Sequence, residues 1–186
     1  MVIRKLNEIE YSLAVELRIN SWDEVVAGTV PNPLVKNKEL RSMIEWVNTA
    51  DEHNDIRLLY GAFDNENFMG FAGASIAEES DSQNGIELNY LFVKEEYRGK
   101  GVSLKLLIKL LSEFMTDKFT ELVVYNFNCS PSNKYYCKLG GKVKKQAAQI
   151  NGKLLVDIFS FDIGNLNERL KKMVIDRYTS KPYENE

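Results

Sequence analysis

The spacing of apolar residues changes along the chain from a helical period to alternation and back. The first stretch has apolar residues at roughly helical spacing, namely Ile9, Leu13, Leu17 and Trp22. It predicts a helix capped by Asn7 after a short strand at 3–6. Gly28 and the turn at 31–33 end this helix, and a second helix is predicted at about 38–48.

β-type runs follow, interrupted by one long amphipathic helix. Strands are predicted at 56–63, 68–77, 86–93, 121–127, 142–150 and 153–161. Further helices are predicted at about 101–116, 131–139 and 165–177. The polar residues 64–67 and the pair Asn151-Gly152 are hairpin signals. This order predicts an α/β (α+β) fold: a mixed, twisted, mostly antiparallel sheet of about six to seven strands with helices on both faces.

Composition narrows the class of protein. The 186 residues favour one domain, and 44% hydrophobic with 27% charged residues is typical of a globular chain. A net charge of −3 provides no general basic field, so nucleic acid is not an expected partner. Residues 1–5 lack the apolar stretch of a signal peptide, and no run is long enough to span a membrane. We therefore expect a cytoplasmic protein with no membrane partner.

Side chains that bind metals or form disulfides are few. His53 is the one histidine, and it lies in a polar stretch far in sequence from Cys129 and Cys137. Metal sites need several ligands at defined spacing, so no metal is expected. Neither cysteine has a histidine close in sequence that would activate it, and both are therefore expected to be core thiols.

A glycine-containing turn connects the strand at 86–93 to the long helix. It has the sequence Tyr97-Arg98-Gly99-Lys100-Gly101-Val102-Ser103. The glycines let backbone N–H groups point into one concavity, and the helix that starts there adds unpaired N–H groups and the positive end of its dipole. Arg98, Lys100 and Lys105 add positive charge. The turn predicts a pyrophosphate site, although it matches neither the P-loop nor the dinucleotide-binding fingerprint.

Residues 98–103 resemble the acetyl-CoA signature Q/R-x-x-G-x-G/A of the GCN5-related N-acetyltransferase (GNAT) superfamily, with Ser103 at the last position. The strand before them resembles the superfamily's central strand. The resemblance implies that this strand splays from its neighbour, that acetyl-CoA wedges into the gap, and that its pantetheine arm pairs with the backbone of Leu91, Phe92 and Val93. The implied cofactor contacts in the turn are Arg98, Gly99, Lys100, Gly101, Val102 and Ser103.

The segment 129–141 is similar to the superfamily's second motif, N-x-x-A/S-x-x-F/Y-Y-x-K-x-G-F/G. Cys129 takes the position of the usual Asn, and the residues in register are Ser132, Tyr135, Tyr136, Lys138 and Gly140. The resemblance implies cofactor contacts from Ser132, Asn133 and Tyr135. It covers about residues 1–162 as an acetyltransferase domain. The helix and polar tail at 163–186 would pack on that domain or on a second subunit of a homodimer.

The implied activity is transfer of the acetyl group of acetyl-CoA to a primary amine, of a small molecule or a protein, by direct attack. This reaction needs a neutral amine, fixed donors for the developing oxyanion, and a proton for the leaving thiolate. By resemblance, Tyr136 would supply that proton, and a backbone N–H near Phe92 would polarise the thioester. Glu87 is the candidate base, acting directly or through water.

These assignments have alternatives. Tyr136 could be a packed aromatic residue, and Glu87 could be an ordinary polar strand residue that shares a face with Asn89. The acidic loop at 78–81 is either solvated or attracts a cationic amine.

The function as a whole also has alternatives. The chain could be an acyl-CoA-binding sensor or a degenerate superfamily member without turnover, or a non-enzymatic interaction module. Among enzymes, the acceptor could be a polyamine, an aminoglycoside, an amino acid or a protein N-terminus. The variable loops, chiefly 22–37 and 78–85, would decide between them.

Overall fold

Seven strands and six α-helices make up the part of the chain that the computed structural model describes, residues 1–116, 118–149 and 151–179. The strands are β1 (Val2–Lys5), β2 (Leu58–Asp64), β3 (Asn67–Ile76), β4 (Gly85–Val93), β5 (Glu121–Phe127), β6 (Lys142–Gln149) and β7 (Leu154–Asp162). The helices are α1 (Tyr11–Asn20), α2 (Trp22–Val25), α3 (Lys36–Asn48), α4 (Val102–Phe114), α5 (Asn133–Lys138) and α6 (Ile163–Thr179). Short 3-10 turns lie at Glu8–Glu10, Asp51–His53 and Glu95–Tyr97.

The strands form one sheet in the order β1-β2-β3-β4-β5-β7-β6. Neighbouring strands are antiparallel, except that β4 and β5 are parallel. Parallel neighbours need a crossover connection, and α4 provides it. The predicted mixed, mostly antiparallel sheet is therefore confirmed.

Helices cover both faces of this sheet. On one face, the buried side chains of α4 and α6 pack over Ile86 and Phe159. On the other face, Met43 of α3 and the buried residues of α1 pack with Phe71. Phe71 and its neighbour Ala72 belong to opposite cores, as the alternation of side chains along a strand requires.

The predicted hairpins are both formed. Asp64 pairs with Asn67 across a two-residue turn in which Asn65 has a φ of 52°. Between β6 and β7, Asn151 and Gly152 have φ values of 53° and 82°. These left-handed conformations suit asparagine and glycine, which are common in hairpin connections.

The apolar side of the first helix differs from the prediction. Ile9 and Leu13 are 88% and 40% exposed, whereas the buried residues of α1 are Tyr11, Ala14, Val15 and Leu17. Asn7 caps the 3-10 turn Glu8–Glu10 rather than α1, because its side chain and that of Glu10 form a reciprocal capping box. Ile9 thus lies in an exposed turn before the helix begins.

The cysteines also differ from the prediction of core thiols. Cys129 and Cys137 are both exposed. Cys129 lies in the turn between β5 and α5, and Cys137 follows the buried Tyr136 on the outer side of a single short helix. His53 is exposed, as predicted, and its Nδ1 lies 2.8 Å from the Thr49 carbonyl oxygen.

The C-terminal helix is longer than predicted and is part of the main core. Leu166 and Leu170 of α6 are 2% and 0% exposed, and they pack in the same cluster as α4. The polar tail at 180–186 and Ile150, the predicted last residue of a strand, lie outside the described residues. Within the described residues, no helix is both long and apolar enough to cross a bilayer, and no three metal-binding side chains are grouped.

Candidate active site

The two parallel strands separate halfway along their length. β4 and β5 pair only from Gly85 opposite Glu121 to Glu87 opposite Val123. Beyond these pairs a cavity of about 600 Å³ opens, lined by residues 88–93 of β4 and 124–127 of β5. β4 thus separates from its neighbour, as the sequence resemblance implied for the central strand.

A β-bulge in β4 lies where the gap begins. Leu88 pairs with Ala74 and Tyr90 pairs with Gly73, so Asn89 is an extra residue with no partner across β3. The bulge reverses the alternation of faces, because Ile86 and Leu88 pack in the α4 core whereas Tyr90 packs in the opposite core. Glu87 therefore shares a face with Tyr90, and the Asn89 side chain also reaches it through a hydrogen bond.

The register of β4 determines which backbone groups face the gap. The N–H of Lys94 donates to the Met69 carbonyl oxygen over 2.9 Å. Alternate residues of an antiparallel strand bond to the same neighbour, so Phe92 bonds to β3 while Leu91 and Val93 direct their backbone groups toward β5. The Val93 carbonyl oxygen accepts a hydrogen bond from Arg98 Nε over 3.0 Å.

The glycine turn and the start of α4 form one end of the cavity. Gly99 and Gly101 have φ values of 72° and 81°, a conformation that glycine adopts without strain. A Cβ atom built on Gly99 would meet no atom within 4 Å, so open space lies in front of it. No side chain caps α4, and Val102 and Ser103 of its first turn line the cavity. Unpaired N–H groups and the helix dipole make this end suited to phosphate groups.

Three cationic side chains near the glycine turn have different partners. Arg98 donates to both carboxylate oxygens of Glu24 over 2.8 Å, and both residues line the cavity. The Lys100 ammonium lies 5.4 Å from the Tyr97 ring centroid, and Lys100 is not among the described residues that line the cavity. Arg177 of α6 donates to the Gly99 carbonyl oxygen and lines the cavity.

The second motif supplies two tyrosines to the cavity wall. The Tyr135 hydroxyl donates to Ser103 Oγ over 3.0 Å. Tyr136 is 7% exposed and packs 5.6 Å from the Phe159 ring, and burial strongly raises the pKa of its hydroxyl. Tyr136 therefore remains protonated at neutral pH, which a proton donor must do.

The polar residues before these tyrosines stabilise the turn that carries them. Ser132 lines the cavity and accepts a hydrogen bond from Asn126 Nδ2 over 3.0 Å. Asn133 donates to the carbonyl oxygens of Phe127 and Asn128 over 3.0 and 2.8 Å. Asn133 thus bonds to the backbone of the preceding turn, and it is not among the described lining residues.

A group of carboxylates lies near the bulge. Asn89 lines the cavity and donates to Glu87 Oε1 over 3.1 Å, while Glu87 itself is half-buried behind it. Burial raises the pKa of Glu87, the negative charge of Asp81 raises it further, and the Asn89 hydrogen bond opposes both effects. Asp81 is 7% exposed, pairs with Lys145 over 2.5 Å and accepts a hydrogen bond from the Tyr125 hydroxyl. It is therefore an internal group rather than part of a solvated loop.

Comparison with known proteins explains this arrangement. Residues 22–140, more than half of the chain, match the sequence model of the Acetyltransferase (GNAT) family. The chain belongs to the GNAT acetyltransferase family. It is an acyltransferase, and acetyl-CoA is its cosubstrate.

Relatives of this GNAT acetyltransferase agree with the assignment. The SPbeta prophage-derived N-acetyltransferase YokL of Bacillus subtilis (strain 168) is 28% identical over 142 residues, which cover 71% of this chain and 77% of YokL. The fold is similar to PaiA N-acetyltransferase from Thermoplasma acidophilum in complex with coenzyme A, with a TM-score of 0.66, 22% identity, and 87% and 98% of the two chains covered. It is also similar to YncA from Salmonella typhimurium with acetyl-CoA, with a TM-score of 0.64, 17% identity, and 87% and 93% covered.

The structure brings most of the sequence-predicted residues of this GNAT acetyltransferase to one cavity. The predicted residues that line it are Leu91, Phe92, Val93, Arg98, Gly99, Gly101, Val102, Ser103, Ser132, Tyr135 and Tyr136. Glu87, Lys100 and Asn133 are next to lining residues instead. Sequence reasoning missed Glu24, Asn89 and Arg177. The break of alternation after Asn89 could have indicated the bulge, whereas no motif identifies the other two.

Proposed function

We propose that this GNAT acetyltransferase transfers the acetyl group of acetyl-CoA to a primary amine by direct attack in the gap between β4 and β5. The observation that carries the proposal is the end of β4–β5 pairing at Glu87, because the resulting cavity joins the glycine turn to Tyr136. A phosphate-binding end and a buried proton donor thus share one space. Acetyl-CoA supplies the acetyl group as an activated thioester.

The chain's own residues would bind the cosubstrate along the gap. Backbone N–H groups of Gly99, Gly101 and the first turn of α4 suit its pyrophosphate. The backbone of Leu91 and Val93 directs hydrogen-bonding groups toward the gap, which supports pairing with the pantetheine arm. Because Phe92 bonds to β3, the donor that polarises the thioester is assigned to the N–H of Leu91.

Tyr136 would donate the proton that the departing thiolate needs. Its ring packs against the rings of Phe159 and Phe161, and burial keeps its hydroxyl protonated. Tyr136 can be both a packed aromatic residue and a proton donor, because its ring is fixed by the core and the residue also lines the cavity. Tyr135 would instead hold the start of α4 through Ser103.

Glu87 would accept the proton of the attacking amine through a water molecule at the cavity wall. An alkyl amine has a pKa of about 10.4 in water, so a base is needed to generate its neutral form. The raised pKa of Glu87 makes it a stronger base than an exposed carboxylate. Direct contact with the amine is less favoured, because Asn89 rather than Glu87 lines the cavity.

The acceptor is a primary amine of a small molecule or of a protein. The loop at 78–81 offers Glu78 and Glu79 as exposed carboxylates that would attract a cationic amine. Asp81 is excluded from this role because it is paired with Lys145. The segment after α1 also borders the cavity through Trp22 and Glu24.

Two measurements test the proposal. Calorimetry with acetyl-CoA measures binding, and thiol release measures transfer to a panel of polyamines, aminoglycosides, amino acids and peptides. Micromolar binding with amine-dependent thiol release is the expected result. Tight binding without release for any amine would favour an acyl-CoA sensor, and no binding would favour an interaction module.

The cytoplasmic location and a homodimer remain predictions. Cell fractionation tests the first, and light scattering of the purified protein tests the second. We propose that α6 packs on its own domain rather than on a second subunit, which is supported by the burial of Leu166 and Leu170 in the main core.

A further inference from the structure

The C-terminal helix reaches the glycine turn from outside the region that matches the family. Its buried residues Leu166 and Leu170 fix the first half of α6 on the core. Met173 and Arg177 follow at a spacing of four residues, so they lie on one side of the helix, and both line the cavity. The family match ends at residue 140, and it therefore assigns no role to α6.

Arg177 lies over both glycines of the turn. Its Nη1 donates to the Gly99 carbonyl oxygen, and its Cδ would be 3.6 Å from a Cβ built on Gly101. A guanidinium group has five N–H donors in a planar fork, and the bond to Gly99 uses only one of them. The side chain is thus held against the backbone of the turn with donor capacity remaining.

The two cations of the sequence motif are engaged differently. Arg98 shares its charge with the carboxylate of Glu24 in a two-bond ion pair. The Lys100 ammonium is directed to the Tyr97 ring. Arg177 instead contacts a backbone carbonyl of the turn itself, which leaves its positive charge at the same end of the cavity.

We propose that Arg177 of α6 binds a phosphate group of acetyl-CoA and so completes the phosphate site of the glycine turn. Arginine forms bidentate, charge-assisted hydrogen bonds with phosphate oxygens, which are stronger than those of neutral donors. The inference rests on the proposed function, because it assumes that acetyl-CoA binds in the gap. It adds to that function a binding residue from a helix outside the family match.

Calorimetry on the full chain tests the proposal. Arg177→Gln is expected to weaken acetyl-CoA binding by about ten- to thirtyfold, in line with the loss of charge-assisted hydrogen bonds. Arg177→Lys should recover part of this loss. Lys171→Gln on the same helix removes the same charge outside the cavity lining, and it should bind like the wild type. Thermal unfolding of each variant verifies that α6 remains folded.

Shortened ligands identify the group that is bound. The first ligand is coenzyme A that lacks the 3′-phosphate. If Arg177→Gln weakens its binding as much as that of acetyl-CoA, Arg177 binds the pyrophosphate. If Arg177→Gln leaves its binding unchanged, Arg177 binds the 3′-phosphate. S-acetylpantetheine has neither group, so Arg177→Gln should leave its inhibition constant against acetyl-CoA unchanged. An equal loss with S-acetylpantetheine, or unchanged acetyl-CoA binding, would overturn the proposal. If the wild type does not bind acetyl-CoA, the proposed function fails instead.

Discussion

The Tyr135 hydroxyl donates a hydrogen bond to Ser103 Oγ over 3.0 Å, and this bond joins the two sequence motifs of the site. Ser103 lies in the first turn of α4, and Tyr135 lies in α5, the helix that follows β5. Burial raises the pKa of Tyr135 to about 12, so the hydroxyl donates over the whole physiological range. Tyr135 thus supports the start of α4, whereas the neighbouring Tyr136 is the proposed proton donor.

Tyr136→Phe is expected to lower kcat by about 10²- to 10⁴-fold, because general acid catalysis contributes that much. The Kd for acetyl-CoA should change less than threefold, since the ring and its packing are retained. Calorimetry and thiol release measure the two quantities. Tyr135→Phe is the matched control, with the same atom removed next to the site, and it should alter acetyl-CoA binding more than kcat. A kcat within twofold of the wild type for Tyr136→Phe would reject the proton-donor role.

Glu87→Gln is expected to remove the acidic limb of the pH profile of kcat/KM. The wild-type rate should rise with pH as Glu87 loses its proton, and because its pKa is raised, the midpoint lies above that of an ordinary glutamate. Asn89→Ala should move the midpoint to higher pH, since the Asn89 hydrogen bond lowers the pKa of Glu87. An acidic limb that is unchanged in both variants would show that another group titrates.

Glu87→Gln should also change how the free energy of unfolding depends on pH. The folded chain holds the Glu87 proton more tightly than the unfolded chain, so the stability that this group contributes is present at low pH. It is lost as pH rises from the unfolded pKa, about 4.3, through the raised folded pKa. Glu87→Gln should therefore resist urea better than the wild type at pH 7.5 and equally at pH 4. Lower stability of the variant at pH 7.5 would contradict this, and Glu79→Gln on the exposed loop serves as the control.

Sequence patterns predicted the sheet and a set of residues of which most line the cavity, because both follow from local signals. Alternation defines the strands, and the glycines at 99 and 101 identify the turn before α4. The faces of Tyr90 and Phe92 do not follow from simple alternation along β4, since one extra residue reverses it and a bulge has only a weak local signal. Contacts such as Arg177 with Gly99 depend on how α6 packs, which no motif encodes.

Gly99→Ala and Gly28→Ala form a matched pair that separates backbone strain from ligand space. Their φ values are 72° and 67°, and an added Cβ would meet no atom within 4 Å at either site. Each substitution should lower the free energy of unfolding by about 1–2 kcal/mol, the cost of a left-handed alanine. Only Gly99→Ala should also weaken acetyl-CoA binding, because Gly99 lines the cavity and Gly28 does not belong to its described lining. Urea denaturation and calorimetry measure the two effects, and equal affinities for the two variants would argue against a phosphate site at the turn.

The ion pair between Glu24 and Arg98 predicts that removing the negative charge of Glu24 increases the affinity for acetyl-CoA. Glu24 contributes a carboxylate to the cavity at the end suited to phosphate, and it neutralises Arg98. Partly exposed ion pairs contribute only about 0–1 kcal/mol, so Glu24→Gln should cost little stability. It should tighten acetyl-CoA binding by about three- to tenfold at low salt, with a smaller effect at high salt. Glu16→Gln, which breaks an exposed pair with Lys36, is the control and should not alter affinity. Weaker binding by Glu24→Gln would mean that Glu24 orients Arg98 for the ligand rather than competing with it.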